Sequence, residues 1–74
     1  MSPDKLVRMA NQIATFFSAQ GEATAPAMVA DHLMQFWEPR MRSAIMAHGA
    51  AGGAGLDPIA AEAVALLRGK TEAS

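Results

Sequence analysis

Seventy-four residues, 51% of them hydrophobic, carry no cysteine and a net charge of −1. So short a chain reads as one domain near the lower size limit for a self-sufficient core. Without cysteine it offers no disulfide, thiolate zinc site, iron–sulfur cluster or cysteine nucleophile, and the near balance of charge leaves no footprint for nucleic acid or an anionic membrane.

Ser2-Pro3-Asp4 reads as a helix start. Ser2 suits the N-cap, Pro3 suits the first helical position where its missing N–H does no harm, and Asp4 lies near the positive dipole end. Leu6, Met9, Ala10, Ile13, Phe16 and Phe17 then recur at steps of three and four, which predicts an amphipathic helix over about 3–19 with Gly21 as its stop. After the turn at 21–26, Pro26 opens a second helix, about 26–37, with Met28, Val29, His32, Leu33, Phe36 and Trp37 at helical spacing. Glu38-Pro39 ends or kinks it, because the residue before proline is driven out of the α region.

Pro39 can start a third helix, about 39–48, with Met41, Ala44 and Ile45 on one face and Gly49 as its C-terminal cap. Residues 49–55 hold four glycines and form a low-complexity segment. Asp57-Pro58 repeats the cap-plus-proline signature and opens a fourth helix, about 58–68, with Ile59, Ala63, Val64 and Leu67 as its stripe and Gly69 as its end. The expected fold is all-α, a small bundle of three to four short helices joined by Pro/Gly turns. It forms a single helical domain over 1–69, with 70–74 a frayed tail. No stretch approaches the roughly 20 apolar residues of a membrane helix, and the N-terminus lacks the basic region of a signal peptide. A soluble, cytoplasmic protein is expected.

Little in the chain suggests catalysis. Gly53-Ala54-Gly55 lacks the preceding strand and the Lys-Ser/Thr of a phosphate-binding loop, so residues 49–55 are read as allowing close helix packing or backbone approach to a partner. His32 and His48 have no further ligands at helical spacing. His32 is read as lining a helix interface, and His48 as a residue of a last helical turn whose charge suits the dipole. The serines lack a base and the acidic residues are scattered singly.

The densest segment is Phe36-Trp37-Glu38-Pro39-Arg40-Met41-Arg42. Trp and Arg dominate interface hot spots, so Phe36, Trp37, Arg40 and Arg42 are the first candidates for partner binding. Arg8 and the glycines Gly52, Gly53 and Gly55 come second. Trp37 could equally anchor the core. Arg40 and Arg42, two apart, cannot share one helix face, which leaves at least one free to meet a carboxylate. A short, unstapled, apolar chain also suggests surface buried against another protein.

Lys5-Leu6-Val7-Arg8-Met9-Ala10-Asn11-Gln12-Ile13-Ala14 resembles the opening of the delta subunit of soluble NAD-dependent formate dehydrogenases. Phe36-Trp37-Glu38-Pro39-Arg40-Met41-Arg42 is similar to that family's Phe-Trp-Asp/Glu-Pro-Arg-Met-Arg segment, and Gly52-Gly53-Ala54-Gly55-Leu56-Asp57-Pro58 to its glycine-leucine-x-proline element. The resemblance implies a non-catalytic accessory subunit, with no catalytic, cofactor or metal ligand carried over. Its implied partner is the large alpha subunit, with beta and gamma subunits in the same complex. That complex would hold bis-molybdopterin guanine dinucleotide with Mo or W, iron–sulfur clusters, FMN and NAD. The alternative from the residues alone is a free-standing helical regulator or helix–turn–helix module, which the scattered Lys and Arg disfavour.

Overall fold

Each of the four prolines stands at the first or second position of a helix, where it costs no hydrogen bond. A computed structural model describes residues 2–73, in four helices: α1 (Pro3–Ser18), α2 (Ala25–Phe36), α3 (Pro39–Ala50) and α4 (Pro58–Ala73). Two N-caps form as the sequence suggests: Ser2 Oγ accepts from Lys5 N at 3.3 Å and Asp57 Oδ1 from Ala60 N at 2.8 Å. Between α2 and α3, Trp37 (ψ 141°) and Glu38 (ψ 154°) are extended, as the proline that follows requires.

Two glycines do not end helices where the sequence placed the stops. Gly49 lies inside α3, and the left-handed residue after that helix is Gly52, with φ 116°. Gly53 N donates to His48 O at 2.9 Å and Gly52 N to Gly49 O at 3.2 Å, the paired bonds of a Schellman ending. Gly69 is likewise passed over, for α4 continues to Ala73 and takes up most of the expected tail. Glycine tolerates helical dihedrals as readily as left-handed ones. Thr71 Oγ1 donates to Leu67 O at 3.0 Å, and Lys70 Nζ pairs with Asp31 on α2 at 3.2 Å, so this last stretch is bonded to its surroundings. Residue 74 lies outside the described residues.

α2 packs most extensively on α4, α1 lies against both, and α3 closes on α4 and α1. Leu6, Val29, Leu33, Ile45, Val64 and Leu67 are the largest fully buried side chains. Between them sit buried alanines, Ala10, Ala14, Ala30, Ala60 and Ala63, which let the helix axes approach closely. Much of the high apolar content is therefore methyl groups at helix seams. The side of α1 that is buried comprises Leu6, Val7, Ala10 and Ala14. Of the stripe expected from spacing, Met9, Ile13 and Phe17 are only half-buried and Phe16 is exposed.

Candidate partner-binding surface

The segment Phe36–Arg42 is divided by the fold rather than presented as one surface. Trp37 is 6% exposed and belongs to the core, so of its two open roles it takes the internal one. Arg42 is half-buried and also turned inward. Its guanidinium donates to Met34 O at 3.3 Å and to Trp37 O, carbonyls at the C-terminal end of α2. A cation there satisfies carbonyls that the helix leaves unpaired and suits the negative dipole end. These two residues hold the α2–α3 corner; Trp37 is enclosed there, while half-buried Arg42 also borders a surface hollow beside Met34 and Met46. Phe36, at 70% exposed, and Arg40 remain on the outside. Arg8 is exposed on the polar side of α1.

The glycine segment is held down by its neighbours. Asn11 donates from Nδ2 to Gly55 O at 2.9 Å and accepts at Oδ1 from Asp57 N at 3.0 Å. His48, in the last turn of α3, bonds through Nε2 to Ala54 O at 2.7 Å. Gly52, Gly53 and Gly55 all have positive φ (116°, 63° and 86°), which only glycine adopts readily. A methyl on Gly55 would also stand 3.3 Å from Val7 Cγ1. Their glycine identity is thus accounted for by the turn and by its seat on α1.

The largest apolar exposure lies elsewhere. At roughly 100° per residue along a helix, the apolar residues of α1 span about half its circumference, more than the core can cover. One part faces inward, while Met9, Ile13 and Phe16 occupy the adjoining arc. With Gln12, Phe17 and His32 of α2 they line an open groove of about 370 Å³. A second hollow of about 260 Å³ adjoins it, sharing Phe17 and His32 and bounded by Phe36. Four rings run in series across the two helices. Phe16 meets Phe17 edge-on at 5.1 Å, Phe17 meets His32 at 6.0 Å, and His32 lies 4.8 Å from Phe36. His32 does line a helix interface, as its spacing implied. Asn11 and the glycine segment lie across α1 from this groove, so the two candidate surfaces are not brought together.

Of the residues on this surface, Phe36 was among the candidates that the sequence suggests, and Met9, Ile13, Phe16 and His32 were not. The available signal was the width of the apolar arc of α1. Among the described residues, no three His, Asp or Glu side chains gather where they could hold a metal ion. No helix among them is long and apolar enough to cross a membrane.

The family model of the NADH-dependent formate dehydrogenase delta subunit, FdsD, matches residues 5–64. The chain belongs to this delta-subunit family. The match takes in α1, α2, α3 and the first part of α4, and therefore both the aromatic groove and the glycine segment. It also spans the three segments that resemble the family in sequence. No curated protein and no solved structure matches the chain significantly. As a member of a delta-subunit family, the protein is one component of a multi-subunit formate dehydrogenase complex.

Proposed function

We propose that this delta subunit is a non-catalytic accessory component, docking in the cytoplasm on the large molybdopterin-bearing alpha subunit and supporting its assembly, cofactor retention or stability. The observation that carries the reading is the family match over residues 5–64. The engagement of the chain's polar groups supports it. His48 and Asn11 are occupied in fastening a loop, Arg42 in ending a helix and Asp57 in starting one. With no cysteine, the chain has no thiolate for an iron–sulfur cluster. On this reading bis-molybdopterin guanine dinucleotide, the clusters, FMN and NAD belong to the alpha, beta and gamma subunits. A protein that binds only the folded, loaded partner stabilises that state by mass action.

The test is to produce the complex with and without this chain and to measure metal content, formate-dependent NAD reduction and the rate of thermal inactivation. The reading expects metal content or NAD reduction to fall, or thermal inactivation to quicken, when the chain is withheld. Equal values for all three, with and without it, would refute the supporting role.

A further inference from the structure

Arg42 is placed against the electrostatics of its own helix. The first four residues of α3 include Arg40 and Arg42 and no acid, although the positive end of a helix dipole favours carboxylates. Glu38, at the N-cap, makes no side-chain capping bond. Among the described residues the one ion pair joins Lys70 to Asp31, and Arg42 pairs with no carboxylate. The end of α2 that it caps carries about half a negative charge, and the start of α3 about half a positive one. The two roughly cancel, and the guanidinium is left without a counter-charge.

The hydrogen bonds leave one edge of that guanidinium over. Nη1 serves both carbonyls at the end of α2, Met34 O and Trp37 O. Nε–H and the two N–H of Nη2 have no acceptor among the described residues. Nε and Nη2 form an edge that two parallel N–H···O bonds can join to a carboxylate. Arg42 also lines a hollow of about 250 Å³ among α2, α3 and α4, with Met34, Pro39, Ser43, Met46 and Thr71. That volume falls short of the roughly 300–1,000 Å³ of small-molecule pockets and suits a single side chain. Met34, Pro39 and Met46 give it an adaptable apolar rim, which excludes water from a charged centre.

We propose that this hollow receives an aspartate or glutamate side chain of a companion subunit of the formate dehydrogenase, its carboxylate bridging Nε–H and Nη2–H of Arg42. The proposal rests on the delta-subunit reading above. It gives Arg42 two duties: Nη1 ends α2, and the other edge binds the partner.

Substituting Arg42 itself would disturb the α2–α3 corner, so the test is made at Ser43, which is exposed and lines the same hollow. Ser43→Glu sets a carboxylate at its mouth, Ser43→Lys a cation, and Ser43→Gln bulk without charge. Ala61→Glu adds an acid at an exposed position of α4, about 15 Å along the helix from Thr71. Full-length tagged chains are titrated into a formate dehydrogenase complex purified without this subunit. Ser43→Glu should bind at least tenfold more weakly than Ser43→Lys, while Ser43→Gln and Ala61→Glu stay within about threefold of wild type. Equal binding by the glutamate and lysine variants, whether both strong or both weak, overturns the carboxylate partner and leaves the delta-subunit reading standing. A wild-type chain that captures no identified formate dehydrogenase subunit overturns both. Two other occupants would show in the isolated chain. A dimer in sedimentation that Ser43→Glu abolishes, with binding to the complex unaffected, assigns the hollow to a second copy and overturns the proposal. Saturation by sodium acetate below about 1 mM, lost in Ser43→Glu with binding to the complex unaffected, assigns it to a free anion and overturns it likewise.

Discussion

Gly49→Ala and Gly69→Ala add the same methyl group to the interior of a helix, and the structure gives them opposite consequences. At Gly69 nothing lies within 4 Å of the added carbon, and the position is exposed on α4. Alanine there gains helix propensity and restricts the unfolded chain, worth about 0.5–1 kcal/mol of added stability. At Gly49 the new carbon would stand 2.7 Å from Val64 Cγ1. Carbon atoms in contact rest about 3.5–4.0 Å apart, so roughly 1 Å must be found. Val64 is 1% exposed, with Ala60, Ala63 and Leu67 around it at 0%, and a helical valine has essentially one rotamer. The α3–α4 seam must open, at an overpacking cost of about 1–3 kcal/mol. The propensity gain is small so near the end of α3, so the net loss is about 1–2 kcal/mol. With a urea slope near 1 kcal/mol/M for a chain this size, the midpoint should fall by about 1–2 M for Gly49→Ala and rise by somewhat under 1 M for Gly69→Ala. Far-ultraviolet circular dichroism follows both transitions. Adding Val64→Ala should cost less in the Gly49→Ala background than in the wild type, because the methyl that clashes is the one removed. A Gly49→Ala chain more stable than wild type would refute the reasoning, for it would mean that the seam has slack.

Asn11→Ala removes both bonds that fasten residues 55 and 57 to α1 and should cost about 1–3 kcal/mol in the same urea assay. Lys70→Ala breaks an ion pair whose side chains are 49% and 58% exposed, and the measured change should stay within about 0.5 kcal/mol. Gly53→Ala forces a methyl-bearing residue to φ 63°, within 3.3 Å of Leu56 Cδ1; about 1 kcal/mol or more should be lost.

What could be read from the sequence was whatever is decided by near neighbours. The helix starts at Ser2-Pro3 and Asp57-Pro58 depend on three or four consecutive residues, and so does the break at Glu38-Pro39. The roles of the glycines depend on contacts that sequence does not show. Gly49 is in α3 because Val64, fifteen residues on, leaves no room for a side chain, and the stop passes to Gly52. Trp37 and Arg42 have the composition of an interface hot spot, but a tryptophan at a tight corner fills the core as well as it fills a partner's pocket. The arginine's use as a cap shows only once α2 and α3 are set at an angle. Phe36 is recognisable as apolar from spacing alone. That it is exposed follows from how far α1 and α4 reach, which no local pattern encodes. The groove itself was half legible: the apolar arc of α1 is visibly too wide for one contact, while which part stays open depends on where α2 and α4 lie.

Composition alone suggested apolar surface buried against another protein, and the packing shows how much of that surface the chain closes for itself. The radius of gyration, 10.9 Å, compares with about 11 Å for a self-contained domain of this length. The accessible surface, 4515 Å², is close to the roughly 4,300 Å² of a folded monomer of this mass. Among the described residues no buried side-chain N or O atom lacks a hydrogen-bond partner. Apolar residues on all four helices close the interior, and the large apolar side chains left exposed are Phe16, Met28 and Phe36 about the α1–α2 groove, with Met34 and Leu66 elsewhere. The expectation from this packing is a chain that folds alone and, on the proposed reading, reaches its partner as a folded body, without the ordering cost that coupled folding adds to binding. Expressed alone, it should therefore show strong helical circular dichroism and a single cooperative urea transition. It should bind the complex with a heat-capacity change appropriate to one docking surface rather than to a whole domain. A free chain that is unfolded, or that binds hydrophobic dyes like a molten globule, would return the core to the partner and refute this division between fold and docking face.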